Sequence, residues 1–226
     1  YVKEKSVLNL QNKRAYEALG IESEAKKLPK DEAKARDITA WMCKNFFDIR
    51  TFGAVMTTFV QGALNCGQVR GPVQLGFARS IEPIVPQEIT ITRTAITTVK
   101  DSQGKRTTMG HKFIVPYALY KVEGYVSANL ARKVTEFSEA DLELLWKAIL
   151  QMFELDRSAA RGNMATRELI VFRHESELGN APAYQLFDRI RVNKKMSEAP
   201  ARSYHDYDVH VDTENLPEGV TCTRMN

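Results

Sequence analysis

Metal-ligating side chains occupy alternate positions in "HDYDVHVD", residues 205–212. On an extended strand every second side chain points to the same face. One face would then carry Asp206, Asp208, His210 and Asp212. Carboxylates with an imidazole can hold Mg²⁺ or Mn²⁺, so a metal-dependent nuclease is one hypothesis. The alternative is an acidic outer face that discourages edge pairing or meets a basic partner. Because nothing else in the sequence supplies a matching group to activate a nucleophile, we predict neither a metal nor a cofactor.

Histidines offer a second chemistry, the cleavage of RNA by general acid–base catalysis, which needs such a group poised at the scissile phosphate. His111 and His174 fall near predicted strand ends and are candidates for it. Their alternative role is in surface or backbone contacts. The sequence contains no Walker A loop, no GxGxxG motif and no GxSxG motif. We therefore predict no catalytic residue, with an RNA-processing endoribonuclease as the alternative function.

The stretch "NCGQVRGPVQLGFARSIEPI", residues 65–84, has the composition of a nucleic-acid contact. From Val69 to Ser80 it alternates as a strand does. The large apolar residues of one face are Val73, Leu75 and Phe77. The small or weakly polar residues of the other face are Gln74, Gly76, Ala78 and Ser80.

One interpretation is that the small-residue face is a track for a nucleic-acid backbone. Small side chains permit close approach, Gln74 and Ser80 offer hydrogen bonds, and Arg70 and Arg79 can pair with phosphates. The alternative is that another polypeptide element packs there. Strict alternation would place Arg79 on the face of Phe77 unless the strand ends or bulges before it.

A second cluster of arginines follows a strongly patterned helix, in "DRSAARGNMATR". Arg157 and Arg161 flank a loop of small residues and are predicted to contact phosphates. The alternative is that these arginines cap the helix C-terminus and pair with Asp156.

Residues 86–112 are predicted to form a β-hairpin that projects from the body of the protein. Thr and Ile alternate in "EITITRTAITT", and a polar turn containing glycine separates the two arms. Ile91, Ile96 and Met109 have little core to join, and Lys112 at the hairpin base is predicted to contact the nucleic acid. Apolar wedges of this kind unstack nucleic-acid bases. Docking onto a neighbouring subunit is the alternative, and both can hold at once.

The elements around these residues favour an α+β fold. Helices are predicted from Val7 to Gly20, from Asp31 to Phe47 and after the N-cap Ser138. Strands are predicted over residues 112–131, 166–175 and 203–213. The order helix, strand, hairpin, strand, helix, strand fits a single ferredoxin-like or RRM-like sandwich over residues 1–226. The chain opens at Tyr1 directly on helical sequence, so we expect that a first strand is missing.

Composition points to an ordinary globular protein with a locally basic region. The chain has 226 residues and a net charge of +4, whereas residues 65–135 alone carry +6, which hints at a polyanionic partner. Three scattered cysteines indicate a reducing cytoplasm. We find no signal peptide and no apolar run long enough to cross a bilayer, so no membrane partner is predicted.

Several long motifs, in order along the chain, resemble the Cas7 family, the backbone subunit of type I CRISPR Cascade complexes, and most closely its I-C branch. The motifs are "RGPVQLGFARSIEPI", "TMGHKFIVPYALYKVEGYVSANLA", "FSEADLELLWKAILQMFELDRSAARG", "LIVFRHE" and "YDVHVDTENLPEGV". The resemblance runs from about Val2 to the C-terminus.

The resemblance implies a modified RRM-like fold whose copies polymerise along one CRISPR RNA. Residues 86–112 would be the thumb that kinks the guide and flips out a base. The partners would be guide RNA, target DNA through the guide, further copies of the chain and other Cascade subunits. The subunit itself would not cut nucleic acid. The resemblance implies a first strand and an Asn/Gly/Pro-rich stretch, followed by a basic helix start, none of which is present before Tyr1.

Overall fold

The structure, a computed structural model, describes the chain apart from residues 1–4, 25, 61, 63, 97, 100–107, 160–162 and 197–198. Its α-helices are Leu8–Ala18 (α1), Glu32–Asn45 (α2), Phe47–Phe52 (α3), Ala128–Leu130 (α4), Glu139–Leu155 (α5) and Ala183–Phe187 (α6). A short π-helix, Ala131–Thr135, follows α4. A 3-10 turn, Tyr204–Asp206, precedes the strand Tyr207–Val211.

The three longer helices confirm the predictions made from their end signals. Helix α1 is followed by Gly20 in the left-handed region, at φ 66°. Asp31 caps α2 by accepting a hydrogen bond from the backbone N–H of Lys34. Ser138 and Asp141 form the capping box that the sequence predicts for α5.

The strands pair two by two in antiparallel ladders throughout the described ranges. They are Gly53–Val55 (β1), Gln68–Arg70 (β2), Val73–Leu75 (β3), Arg79–Ser80 (β4), Gln87–Arg93 (β5), Thr108–Ile114 (β6), Tyr120–Lys121 (β7), Gly124–Val126 (β8), Leu169–His174 (β9), Ile190–Lys194 (β10), Tyr207–Val211 (β11) and Val220–Met225 (β12). The pairs are β1–β2, β3–β8, β4–β7, β5–β6, β9–β12 and β10–β11.

The fold is therefore mixed, with helices and small antiparallel sheets, which agrees with the α+β class. The β5–β6 pair confirms the antiparallel arms of the predicted hairpin. Its turn lies largely outside the described residues. The single RRM-like sheet and the single domain over residues 1–226 stay predictions.

Two apolar clusters hold these elements together. The larger one joins α1, α2, α3 and β2, and its fully buried members include Tyr16, Ile38, Met42 and Ile49. The smaller one is formed by Val73, Ala131, Phe137 and Leu145. In the described part of the hairpin, no side chain joins either cluster. The body of the protein can therefore be stable without help from the hairpin.

The prediction of one continuous strand from Val69 to Ser80 is wrong. It is divided into β2, β3 and β4. Val73 is buried, as its apolar type predicts, but Leu75 and Phe77 are 55% and 95% exposed. Gly71 and Pro72 make the first break, because the backbone must pass very close to β1 and proline cannot donate a ladder hydrogen bond.

The backbone at Gly71 crosses the backbone at Gly53 so closely that a side chain on Gly71 would have no room. A Cβ atom on Gly71 would lie 2.2 Å from the carbonyl carbon of Phe52 and 2.4 Å from the backbone nitrogen of Gly53. Because both neighbours are backbone atoms, neither can move aside without displacing α3 or β1. The absence of a side chain at Gly71 thus serves polypeptide packing.

We expect Gly71→Ala to lower the free energy of unfolding by about 3 kcal/mol, because the added methyl group overpacks the crossing of two backbones. Gly110→Ala is the matched control, since the nearest atom to its added Cβ is a side-chain carbon of Ile91 at an ordinary 3.6 Å. Urea denaturation followed by circular dichroism measures both variants. Equal stability of the two variants would contradict the tight crossing.

Candidate nucleic-acid interface

A one-residue change of register separates the two strand pairs that carry most of the predicted RNA track. In β3–β8, Gln74 lies opposite Tyr125. In β4–β7, Arg79 lies opposite Lys121. Between these pairs, residues 76–78 of the first strand face only residues 122–123 of the second, so the first strand holds one extra residue. This arrangement is a β-bulge, which locally reverses the facing of the side chains that follow it.

The bulge resolves the position of Arg79. Residues opposite one another in an antiparallel pair share a face, so Gln74 lies with Tyr125 and Arg79 lies with Lys121. Lys121 ends β7 and Tyr125 lies in β8, four residues later, and the backbone carbonyl of Glu123 between them accepts a hydrogen bond from the Gly76 N–H. The even spacing places the two side chains on the same side of this backbone. Arg79 thus shares the face of Gln74, as phosphate pairing along the track requires. Ser80, which pairs with Tyr120, points to the other face.

Two arginines of the predicted site lie apart from Gln74. Arg70 ends β2 and pairs with Gly53 in a different ladder, although its side chain is exposed. Arg157 follows α5 and forms an ion pair with Glu154, so part of its charge is already neutralised. Arg161 lies outside the residues that the structure describes. The structure therefore joins Gln74 and Arg79 but does not bring Arg70 or Arg157 into their ladders.

The charge on this face remains partly unbalanced. Arg79 and Lys121 are like charges placed directly opposite each other, which is an unfavourable cross-strand pair. Lys121 Nζ contacts Glu123 Oε1 at 3.0 Å. Within the described ranges, Arg79 and Arg70 form no ion pair. A surface that carries such unpaired arginines next to an exposed polar strand is suited to bind phosphate groups.

In the β5–β6 pair, every residue of β5 is exposed. Its register separates the predicted wedge residues, because Ile91 lies opposite Gly110 whereas Met109 lies opposite Thr92. Ile91 therefore points to one face, which it shares with Ile89 and Lys112, and Met109 points to the other face. Ile96 is exposed beyond the end of β5. The apolar side chains are thus free of core contacts, but they do not form one continuous wedge.

Each candidate catalytic histidine has a contact within the protein. His111 Nδ1 lies 2.6 Å from Glu88 Oε1, on the hairpin face that also carries Met109. His174 Nδ1 accepts a hydrogen bond from the backbone N–H of Asn180 at 2.9 Å. The second contact secures the turn after β9, which is the backbone role that the sequence analysis gave as the alternative.

The acidic motif near the C-terminus does not form the continuous strand face that its spacing predicts. Asp206 lies in the 3-10 turn and accepts hydrogen bonds from the backbone N–H groups of Arg202 and Ser203. These bonds lower the pKa of the Asp206 carboxyl below its ordinary value. Asp212 Oδ2 lies 3.6 Å from Arg189 Nη1 in an ion pair. Within the described residues, no group of three or more His, Cys, Asp or Glu side chains could hold a metal ion.

Sequence analysis missed the residue that secures the end of the track. Glu82 accepts a hydrogen bond from the Tyr207 hydroxyl at 2.8 Å and contacts Lys194 Nζ at 3.4 Å. Burial, and next this hydrogen bond, raise the pKa of Tyr207. Glu82 thereby ties the segment after β4 to β10 and β11. Because the three residues are far apart in sequence, no local pattern could have revealed the contact.

Comparison with known proteins identifies the family. The family described as "CRISPR-associated protein Cas7" matches residues 1–212, which is most of the chain. No curated protein matches the chain. In the described residues, no helix has the length and apolar character needed to cross a membrane. The match includes the bulged strand pairs, the hairpin and the late acidic motif, and it shows that the chain belongs to the Cas7 family of CRISPR-associated proteins.

Proposed function

We propose that the protein is a non-catalytic backbone subunit of a type I Cascade complex, of the I-C branch, that polymerises along guide RNA. The hairpin is the observation that carries this proposal, because its exposed apolar residues have no core to join. Membership of the Cas7 family supports a role in a CRISPR complex. The hairpin would act as the thumb on an RRM-like body.

In this proposal the protein neutralises the guide backbone, and base pairing supplies the sequence specificity. Arg70, Arg79 and Lys112 would pair with phosphates, and Gln74 would donate a hydrogen bond to the backbone. Such contacts bind any guide sequence, as shape-based recognition requires. Target DNA would then be bound through the guide, with other copies and other Cascade subunits completing the particle.

The direct test is to purify the protein from cells that express the whole complex and its guide. We expect gel filtration to give a large particle with a high ratio of absorbance at nucleic-acid to protein wavelengths. A denaturing gel of the extracted nucleic acid should show RNA of one defined length. A small, nucleic-acid-free species from a chain that is correctly folded by circular dichroism would contradict the proposal.

The absence of catalysis is tested with end-labelled RNA. We expect the purified protein to leave the RNA intact, both with Mg²⁺ and with EDTA. Cleavage at a fixed site that is lost in His111→Ala or His174→Ala would instead support the endoribonuclease hypothesis. Cleavage lost only with EDTA, and abolished in Asp208→Ala, would support the metal-dependent hypothesis.

Arg70→Ala tests the predicted phosphate contact at the start of the track. Loss of one contact with single-stranded RNA should reduce the slope of log K against log salt concentration by about 0.7. Fluorescence anisotropy over a series of salt concentrations measures this slope. Arg157→Ala is the comparison, since Arg157 already pairs with Glu154 and should change the slope less. If the slope is unchanged in Arg70→Ala, Arg70 does not contact the RNA phosphates.

A further inference from the structure

We propose that Tyr125 is a stacking platform for a base of single-stranded RNA, and that Arg79 and Lys121 bind the phosphates beside it. This inference rests on the proposed function and assigns the second strand of the track a direct role. Within the track, the sequence predicted RNA contacts only on the strand that contains Gln74 and Arg79. The strand register adds the residues opposite them.

The position of Tyr125 follows from the pairing of β3 with β8. Tyr125 lies directly opposite Gln74, so the two side chains share a face. On the reverse face of this pair, Val73 is buried in the smaller apolar cluster, whereas Leu75 at the other end of β3 is 55% exposed. On that face, the Leu75 side chain occupies the space above Gly124, where a Cβ atom would lie only 2.7 Å from Leu75 Cδ2. Tyr125 therefore points away from the core.

Tyr125 combines exposure with a fixed ring orientation. The residue is 51% exposed. Its ring contacts the Phe187 ring edge-on, with centroids 5.6 Å apart and an interplanar angle of 71°. Such an arrangement supports an aromatic ring without covering both of its faces. A base can then stack on the open part of the ring without a large loss of side-chain entropy.

Cations lie on the neighbouring β4–β7 pair, close in sequence to this ring. Lys121 is four residues before Tyr125, and its 3.0 Å contact with Glu123 shows that side chains two residues apart share this face. Arg79 lies opposite Lys121. A phosphate between Arg79 and Lys121 would relieve the repulsion between the two cations. Single-stranded nucleic acids are commonly bound by aromatic side chains for bases next to cations for phosphates, without dependence on sequence.

Tyr125→Leu tests the stacking contact. We measure the affinity of the purified chain for labelled single-stranded RNA by fluorescence anisotropy. We expect Tyr125→Leu to bind about tenfold more weakly and Tyr125→Phe to bind nearly as well as the original protein, because phenylalanine keeps the aromatic face. With an abasic strand of the same length, the original protein and Tyr125→Leu should bind equally, because no base remains to stack.

The controls separate stacking from loss of structure. Tyr120→Leu removes an exposed tyrosine from the same segment, but on the face of Ser80, and should keep its affinity. If Tyr125→Leu loses affinity equally for the normal and abasic strands, Tyr125 supports the fold and the proposal is wrong. Full affinity in Tyr125→Leu would also overturn it, while leaving the proposed function intact. If the unsubstituted protein binds no RNA, both the Tyr125 proposal and the proposed function are wrong.

Discussion

Asp141→Ala is expected to lower the free energy of unfolding by about 3 kcal/mol, because one carboxylate serves both an ion pair and a helix cap. Asp141 Oδ1 accepts a hydrogen bond from Arg50 Nη2 at 2.7 Å, and Oδ2 accepts one from Arg50 Nε at 3.0 Å. The Arg50 and Asp141 side chains are only 18% and 14% exposed. Removal of the carboxylate therefore leaves a partly buried guanidinium without its counter-ion and also removes the Asp141 half of the capping box, in which Oδ2 accepts from the backbone N–H of Ser138.

Denaturation in urea, followed by circular dichroism, measures this loss. Glu139→Ala is the matched control, since Glu139 is an acidic residue in the same first turn of α5 but is exposed. We expect the control to change stability by less than about 0.5 kcal/mol. Similar small losses in both variants would mean that the ion pair with Arg50 contributes little.

The same ion pair predicts a dependence of stability on pH. Hydrogen bonds from Arg50, and then from Ser138, lower the pKa of Asp141 from 3.8 to about 2, although burial opposes the shift. The unfolded chain then binds more protons than the folded chain between these two values. The lowered pKa of Asp141 corresponds to about 2 kcal/mol of the free energy of unfolding. This stabilisation is complete at pH values above the unfolded pKa and is lost as the pH falls through about 2. Asp141→Ala should lack this component of the acid transition.

The second large effect is expected on the hairpin. Ile89→Asp combined with Ile91→Asp should reduce the yield of RNA-loaded particle by about tenfold or more. Both residues lie on the hairpin face that carries Lys112, where a wedge can contact bases while the cation pairs with phosphate. Two added carboxylates on this face would repel the guide backbone. Purification of the assembled complex, followed by quantification of bound RNA, measures the effect.

Met109→Asp combined with Phe113→Asp is the control for this experiment. The two side chains are exposed on the other hairpin face, and the double substitution adds the same charge. Both variants should keep the melting temperature of the original protein, because neither pair belongs to an apolar cluster. Equal loss of RNA from both variants would mean that the wedge is not confined to the face of Ile91. Loss only from the control would assign the wedge to Met109.

Local sequence signals determined the elements whose causes lie within a few residues. Ser138 and Asp141 are three residues apart, so the capping box and the start of α5 can be predicted without knowledge of the fold. The alternation of Thr and Ile similarly predicted the hairpin arms, because strand periodicity is a property of the segment itself. The family motifs add the CRISPR association, which the match over residues 1–212 shows.

Tertiary pairing decided the arrangement of the candidate site. The break at Gly71 depends on the backbone of Phe52 and Gly53. The bulge that places Arg79 beside Gln74 depends on which residues the facing strand contributes. That facing strand also supplies Tyr125, which is distant from Gln74 in the sequence. The sequence alone therefore determined the three longer helices, the arms of the hairpin and the family. The shared face of the site required the three-dimensional register, because contacts between distant segments leave no local periodic pattern.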